Sequence, residues 1–263
     1  MLLAWLKERR RRRVRERPFP PAWRDVLRRS VRQAEGLADD QWRRLEDWIA
    51  VFLAEKRFEG CGGLEITDEV RLAIAGQAAV AALGLGAEHF DRLRSILVHP
   101  ADFSVPASMV VGGDVSLEWR EPRLGETWTG GSMSLAWPDV VAGGRMRDGP
   151  RSVVIHEFAH QFDALDGEID GAPPLPPARR RAWVEGITAC RAGFAALLDE
   201  GRATPFDDYA DESPAEFFAV SSECFFQDPH RLIRFDPGLY DLLREAWRQD
   251  PRERVPPRER RRR

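Results

Sequence analysis

A single helix with two histidines on one face constrains this chain more than any other feature of its sequence. The helix is predicted over residues 152–164, where an apolar run leads into the string HEFAH at residues 156–160. Residues four apart lie one turn apart on the same face of a helix, so the imidazoles of His156 and His160 can reach one cation. Glu157 then stands beside the open coordination position, where its carboxylate can take a proton from metal-bound water. The pattern predicts a hydrolytic zinc centre with two histidine ligands and Glu157 as its general base.

The two histidines need a third protein ligand, because catalytic zinc usually has three protein ligands and one water. Asp166 follows His160 by six residues, which is the spacing of the third ligand in metzincins. Those enzymes turn the chain sharply at a glycine three residues after the second histidine, and Asp163 occupies that position here. Asp163 and Asp166 therefore fit better as acceptors for the imidazole N–H groups, or as residues of the turn beside Gly167.

Glu216 is the other candidate for the third ligand, because a carboxylate from a second helix can clamp a metal across two packed helices. The same glutamate also fits a purely structural role, since Ser213, Pro214 and Glu216 match the sequence of a capping box at a helix start. The residues alone leave both interpretations open. Glu223 lies two turns further along nearly the same face and is either a spare ligand or a partner of a ligand.

Apolar residues at helical spacing predict a chain built mostly from helices, with a small sheet before the HEFAH helix. Helices are predicted over residues 23–31, 39–56, 67–85, 152–164, 179–199, 215–226 and 239–247. Short β-prone runs bounded by glycine or proline predict strands at residues 95–98, 108–111 and 133–137. The fold class that follows is α+β.

Basic residues are concentrated at the two ends of a chain whose net charge is −3. Residues 1–17 and 252–263 are rich in arginine, whereas the segment between them is acidic. Short basic blocks are usually solvated, so residues 1–17 are predicted to be a flexible arm and residues 252–263 a disordered tail. The alternative is that these ends attract nucleic acid or an anionic membrane surface. Residues 18–251 are predicted to form one domain.

The sequence favours a cytoplasmic protein. Its longest apolar stretch, residues 72–85, is too short to cross a bilayer, which takes about 20 residues. Residues 1–6 are apolar and come before the basic run, which is the reverse of the order in a secretory signal. Three cysteines without a CxxC pair indicate neither a disulfide framework nor a thiolate site, so a metal here needs nitrogen and oxygen ligands.

Several separated motifs resemble one known family. They are HEFAHQFD at residues 156–163 with LDG shortly after it, the segments 52–60 and 125–128, and the stretch 209–223. Together they resemble the Mlc titration factor A family of zinc peptidases over residues 18–247. The resemblance implies a zincin-like metallopeptidase whose catalytic core is similar to that of anthrax lethal factor.

The resemblance also implies roles for individual residues. It makes His156, His160 and Glu216 the ligands of a Zn²⁺ ion and Glu157 the general base. Tyr209 stands where the family has a tyrosine, seven residues before the glutamate ligand. Its hydroxyl could donate a hydrogen bond to the oxyanion that forms on the scissile carbonyl. The expected substrate is a short peptide or an unstructured protein segment, and the family suggests aminopeptidase-like cleavage.

Two further expectations concern what the protein binds. The β-prone run 133–137 is the expected edge for an extended substrate, with Trp128 and Trp137 either lining subsites or packed in the core. A second function, from another class, is that the protein works chiefly as a binding partner. The resembled family is named for sequestering the repressor Mlc, so a transcriptional repressor of the Mlc type is the expected partner in that case.

Overall fold

Helices dominate the structure, a computed structural model that describes residues 2–101, 103–110, 116–123, 125–128, 131–146 and 149–257. The α-helices of this part are α1 (Leu2–Arg15), α2 (Pro21–Ser30), α3 (Asp39–Glu55), α4 (Asp68–Ala82), α5 (Trp137–Arg145), α6 (Val153–Asp163), α7 (Pro177–Asp199), α8 (Pro214–Gln227), α9 (Pro229–Phe235) and α10 (Pro237–Trp247). Its strands are β1 (Arg57–Gly60), β2 (Ser95–His99), β3 (Phe103–Val110), β4 (Ser116–Arg123), β5 (Gly125–Trp128) and β6 (Ser132–Ala136). The prediction of a mostly helical α+β chain with a small sheet before the HEFAH helix, which is α6, is confirmed.

Local sequence signals set most of the helix boundaries. Proline occupies the first or second position of α2, α5, α7, α8, α9 and α10, where its missing N–H costs no helical hydrogen bond. Side-chain oxygens cap the first turns of five helices, and they belong to Thr67, Ser152, Ser213, Asp228 and Asp236. Seven of the helices therefore agree with the predicted ranges to within three residues, whereas the apolar patterns do not predict α1, α5 or α9.

The larger sheet has the strand order β1-β2-β6-β5. The first three strands are parallel, and β5 runs antiparallel to β6. A separate antiparallel pair is formed by β3 and β4. The predicted strands at 95–98 and 133–137 correspond to β2 and β6. The predicted strand at 108–111 coincides with the end of β3 as far as Val110, and residue 111 lies outside the described residues.

This strand order corrects the predicted substrate strand. The run 133–137 supplies β6, but β2 and β5 pair with its two sides, so its backbone offers no free edge. Trp137 begins α5 instead of ending the strand. The edge strand that packs against α6 is β5. The prediction was wrong because a β-prone run does not reveal which strands lie beside it.

Buried apolar side chains fix α6 between α4 and α8. The helix α4 is buried along almost its whole length, and small residues allow this close packing. A Cβ atom on Gly76, for example, would approach side-chain atoms of Leu27 and Val31 to 2.7 Å. On α6, the fully buried ring of Phe158 lies 4.9 Å from the ring of Phe90. The apolar side of α6 is therefore held in the core, and its other side faces α8.

Residues 1–17 are predicted from their charge to be a flexible arm, but residues 2–17, which the structure describes, do not form one. Residues 2–15 form α1, which packs against α3. The side chain of Arg11 is buried, and its guanidinium donates to Glu55 at 2.7 and 2.8 Å and to Asp91 at 2.5 Å. Lys7 adds a salt bridge to Asp91 at 2.7 Å. A count of charges misses this arrangement because it does not show that two basic side chains face acidic partners on the rest of the protein.

The predicted C-terminal tail, residues 252–263, is also packed over its first described residues. Pro251–Glu253 form a 3₁₀ turn, Arg254 and Val255 are buried, and the Arg254 guanidinium donates to Gln249 Oε1 at 2.9 Å. The predicted disordered tail is therefore wrong for residues 252–255, and residues 258–263 lie outside the described residues.

Three expectations about the whole chain stay predictions. They are the single domain over residues 18–251, the cytoplasmic location, and the attraction of the basic ends to nucleic acid or an anionic membrane. Of the helices that the structure describes, none is both long and apolar enough to cross a membrane. On α1, the side chains of Arg9, Arg10, Arg12 and Arg13 are exposed.

Candidate metal centre

The helix α6 carries both histidines of the HEFAH string on the side that faces α8. Its start is fixed by Ser152, whose Oγ accepts a hydrogen bond from the backbone N–H of Ile155 at 3.3 Å. Ile155, Phe158 and Ala159 are completely buried on the apolar side. Because this side is anchored in the core, His156 and His160 are held in fixed positions on consecutive turns.

The helix α8 brings Glu216 to the two histidines. Its first turn is capped by Ser213 Oγ, which accepts from the backbone N–H of Glu216 at 3.1 Å. A capping box would also require the Glu216 side chain to reach back to the Ser213 backbone. Instead, its carboxylate oxygens lie 3.1 Å from His156 Nε2 and 3.3 Å from His160 Nε2. The cap at Ser213 thus coexists with a Glu216 side chain that faces the imidazoles.

His156, His160 and Glu216 form the one group among the described residues whose ligand atoms could hold a metal ion together, all within 4.8 Å of one another. The two Nε2 atoms lie 3.1 Å apart. Zinc bonds of about 2.0–2.1 Å in a tetrahedral arrangement put neighbouring ligand atoms about 3.3 Å apart. The observed separations fit one ion bound by all three side chains.

The hydrogen-bond chemistry of the cluster also favours a cation. His156 Nδ1 lies 2.9 Å from Glu223 Oε1, and a carboxylate can only accept, so Nδ1 carries the proton of the neutral ring. The lone pair of His156 Nε2 then points toward Glu216 Oε2, which is buried and has no hydrogen-bond partner among the described residues. Two facing lone pairs repel each other unless a positive charge, either a proton on Nε2 or a metal ion, lies between them. The donor set of two imidazoles and a carboxylate suits zinc.

The two acidic side chains change the proton affinities in this cluster. Burial opposes charge on Glu216, but its contacts with His156 and His160 outweigh burial and hold the pKa of the carboxyl well below its usual range. Burial likewise opposes charge on His156, and Glu216 and Glu223 outweigh it and raise the pKa of this histidine well above its usual value. Negative charge therefore dominates the site and attracts cations.

Glu157 and Tyr209 complete the set of residues that the sequence analysis places here. Glu157 follows His156 on α6, and its side chain is buried. Tyr209 lies in a 3₁₀ turn before α8, and its ring centroid is 6.2 Å from that of His156. Partial burial and the negative charge of Glu216 raise the pKa of the Tyr209 hydroxyl above its ordinary value of 10.0. The hydroxyl is thus protonated at neutral pH, and the side chain is 42 % exposed.

Asp163 and Asp166 do not take the roles proposed for them as partners of the imidazoles. Asp163 accepts from the backbone N–H of Gly171 at 2.8 Å, and Asp166 pairs with Arg180 at 2.9 Å. The buried Nδ1 of His160 has no hydrogen-bond partner among the described residues, so neither aspartate accepts from it. Both aspartates instead shape the loop after α6, as the alternative prediction had it. Burial raises the pKa of Asp163 to about 6.

Glu223, and not an aspartate, contacts a histidine of the cluster, with its Oε1 2.9 Å from His156 Nδ1. The sequence allows this glutamate to be a spare ligand or the partner of a ligand, and its contact with His156 supports the second role.

Trp128 and Trp137 are predicted either to line substrate subsites or to pack in the core, and the structure describes only one of these side chains. Trp137 is half-buried and packs against the core, and the side chain of Trp128 lies outside what the structure describes.

Comparison with known proteins gives one family and several relatives that match most of the chain. The family described as glucose-regulated metallo-peptidase M90 matches residues 5–248 of this chain. An uncharacterized protein of Synechocystis, slr2042, is 36 % identical over 241 residues, which cover 90 % of this chain and 86 % of that protein. Mlc titration factor A of Klebsiella pneumoniae strain 342 is 31 % identical and covers 83 % of both chains. Mlc titration factor A of Serratia proteamaculans is 30 % identical and covers 89 % of this chain and 88 % of its own. This chain belongs to the glucose-regulated metallo-peptidase M90 family.

Proposed function

We propose that this protein is a zinc-dependent peptidase whose ligands are His156, His160 and Glu216. The observation that carries the proposal is the convergence of three side chains, from two helices fixed in the core, whose two imidazole nitrogens and two carboxylate oxygens lie at separations that fit one tetrahedral ion. Three protein ligands leave the fourth position of such an ion free, which is the arrangement of hydrolytic zinc sites. Membership of a metallo-peptidase family supports the same chemistry.

The proposed mechanism assigns one task to each polar side chain around the ion. A zinc ion held by these three side chains would supply Lewis-acid chemistry, making a water molecule more acidic and the scissile carbonyl more electrophilic. Glu157 removes a proton from that water and delivers it to the leaving amine, which requires a carboxylate close to the open position. The Tyr209 hydroxyl donates a hydrogen bond to the oxyanion that develops on the carbonyl oxygen.

The sheet offers a place for an extended peptide. Among the described strands, β5 lies at the edge of the larger sheet and packs against α6. A peptide that adds to this edge gains main-chain hydrogen bonds and passes over the helix that carries Glu157. We therefore propose short peptides or unstructured protein segments as substrates, because a folded protein does not offer a free strand to this edge. From the family resemblance we also propose that cleavage is aminopeptidase-like.

Variants at Glu157 test this function. A panel of internally quenched peptides, with free and with acetylated N-termini, first identifies a sequence that the zinc-loaded wild-type protein cleaves. Glu157→Gln keeps the size of the side chain but cannot accept the proton, so we expect kcat to fall about 10²–10⁴-fold while zinc content is unchanged. Glu157→Gln with the activity of the wild type would refute the mechanism. Cleavage of only the free N-termini would support the aminopeptidase assignment.

A second candidate function is sequestration of a transcriptional repressor of the Mlc type. It is favoured by the relatives named Mlc titration factor A, which cover more than four fifths of this chain. Binding of a repressor does not require hydrolysis, so both functions can belong to one protein. Purified repressor of this type, titrated against wild type and Glu157→Gln, separates them: equal affinities indicate binding independent of catalysis, and absence of binding to either protein refutes this candidate.

A further inference from the structure

The carboxylate of Glu223 makes two short contacts that the proposed chemistry does not use. Its Oε1 lies 2.9 Å from His156 Nδ1, and its Oε2 accepts from the backbone N–H of Ser152 at 2.5 Å. Ser152 is the residue that caps α6. One side chain of α8 therefore contacts both the first turn of α6 and the proposed metal ligand on it.

The two contacts use opposite oxygens of a buried carboxylate. Glu223 is 6 % exposed, and a buried carboxylate is costly unless hydrogen bonds compensate it. Both groups that face it have to donate, since a carboxylate has no proton to give at neutral pH. The backbone N–H of Ser152 is always a donor, whereas His156 donates from Nδ1 only in one of its two neutral tautomers.

The position of Glu223 on α8 explains how one helix can act on two sides of the same ring. Glu223 follows Glu216 by seven residues, so both side chains lie on one face of α8, two turns apart. Glu216 faces Nε2 of His156 at 3.1 Å, and Glu223 faces Nδ1. The ring is thus held between the two glutamates.

We infer that Glu223 is a positioning residue that fixes His156 in the tautomer with the proton on Nδ1, so that the Nε2 lone pair is available to the metal. The inference rests on the proposed metal site and adds to it the residue that directs one nitrogen of a ligand toward the ion. His160 has no such partner, because its Nδ1 is buried without a hydrogen bond among the described residues. Of the two histidines, only His156 is therefore oriented by a hydrogen bond to its Nδ1 among the described residues.

Glu223→Gln tests this role with almost no change in size. The amide has a single oxygen, and both Ser152 N–H and His156 Nδ1–H need it as acceptor, so one of the two contacts is lost. If the oxygen stays with Ser152, the amide NH₂ faces Nδ1 and favours the tautomer with the proton on Nε2, which opposes metal binding. We expect the zinc dissociation constant, measured by competition with a chelating indicator, to rise about 10–100-fold.

Glu46→Gln is the matched control. Glu46 is also 6 % exposed and loses the same charge, but its partner is Arg24 on α2. We expect zinc affinity within twofold of the wild type for this control. If Glu223→Gln also binds zinc as the wild type does, while His156→Ala and Glu216→Ala lose it, the positioning role is refuted and the metal site stands. If none of these variants loses zinc, the proposed site itself is refuted.

A second measurement does not depend on the folding of any variant. Long-range ¹H–¹⁵N correlation spectra of the full wild-type chain show which nitrogen of each imidazole carries a proton. In the zinc-loaded protein we expect His156 to be protonated on Nδ1 and bound through Nε2. Binding through Nδ1, or a proton on Nε2, would overturn the inference.

Discussion

His156 and His160 present their Nε2 atoms to each other at 3.1 Å, on consecutive turns of a helix whose opposite side is buried in the core. Two imidazole nitrogens at this distance without a shared proton repel each other. The contact is stable only if one ring is protonated or if a cation binds both. With Glu216 within 3.3 Å of each nitrogen, the cation is the simpler solution.

Tyr209→Phe should separate catalysis from metal binding. Loss of one oxyanion donor typically lowers kcat about 10²–10³-fold, and the phenyl ring keeps the contact with His156. Zinc affinity should stay at the wild-type value because the hydroxyl is not one of the proposed ligands. The measurements are steady-state kinetics on a cleaved peptide and zinc titration.

Tyr240→Phe provides the control for that variant, because Tyr240 is the other tyrosine of the chain. Its ring is fully buried, and its hydroxyl donates to Asp250 at 2.5 Å. The loss of this hydrogen bond to a charged group should lower stability by about 1.5–3 kcal/mol and leave kcat unchanged. Equal kcat for Tyr209→Phe and Tyr240→Phe would contradict the role of Tyr209.

Arg11→Ala should release α1 from the rest of the protein. The substitution leaves Glu55 and Asp91 without the guanidinium that both contact, and removal of one member of a buried ion pair costs about 3–5 kcal/mol. Because Asp91 is partly exposed, water can solvate its charge, and the loss of stability should lie toward the lower end of that range. Urea unfolding measures the loss, and trypsin should then cleave within residues 1–17 faster than in the wild type. Arg13→Ala, at an exposed position of the same helix, should change neither measurement.

Gly171→Ala should disturb the start of α8. Gly171 has φ of +78°, and a Cβ atom there would lie 2.4 Å from the backbone oxygen of Pro214. The alanine must therefore push against the turn that leads to Glu216, and we expect a loss of about 1–3 kcal/mol in stability together with weaker zinc binding.

Gly167→Ala distinguishes the effect of backbone strain from the effect of the close contact between residue 171 and the Pro214 oxygen. Gly167 also has a positive φ, of +105°, but a Cβ atom there meets nothing within 4 Å. It should cost stability through strain alone and leave zinc affinity unchanged. Equal zinc affinities for the two alanine variants would show that Gly171 does not position α8.

Lys56 should make stability depend on pH above neutrality. Burial lowers the pKa of Lys56 to about 8, below its usual 10.5, although its ammonium donates to the carbonyls of Phe90 and Leu93 at 2.6 Å. Between these two pKa values the unfolded chain binds more protons at this residue than the folded chain does, so stability rises with pH in this window. The contribution of one group is at most about 1.4 kcal/mol per pH unit.

The difference in unfolding free energy between wild type and Lys56→Met, measured at several pH values, isolates this contribution. Other groups that titrate in the same range, such as Cys190, cancel in the difference. The wild type should gain stability relative to the variant from pH 8 to pH 10.5. A difference that does not change with pH would contradict the lowered pKa.

The residues of the candidate site could be predicted from the sequence more completely than the fold around them. Helical spacing in the HEFAH string was sufficient to place His156 and His160 on one face of α6. The third ligand was harder, because Ser213 and Glu216 fit a helix cap and a metal ligand equally well. In the structure the backbone N–H of Glu216 serves the cap, and its side chain faces the histidines. The local sequence around Glu216 does not distinguish a capping side chain from a metal ligand. The packing of α8 against α6 does, because it brings the Glu216 side chain to the histidines.

Other features depend on contacts between distant segments, which local patterns do not contain. The run 133–137 is β-prone in any position, and its pairing with β5 removes the free edge predicted for it. The arginines of residues 1–17 suggest solvation until Arg11 is seen between Glu55 and Asp91. In both cases the sequence shows what a segment can do, and the partner segment determines what it does.

The central claim is that Glu216 completes a zinc site with His156 and His160. The most direct measurement is the zinc content of the purified full chain, wild type beside Glu216→Ala, after dialysis against buffer with a weak chelator. We predict about one zinc per chain for the wild type and loss of the metal in the variant, with both proteins folded by circular dichroism. Full retention of tightly bound zinc by Glu216→Ala would contradict the account.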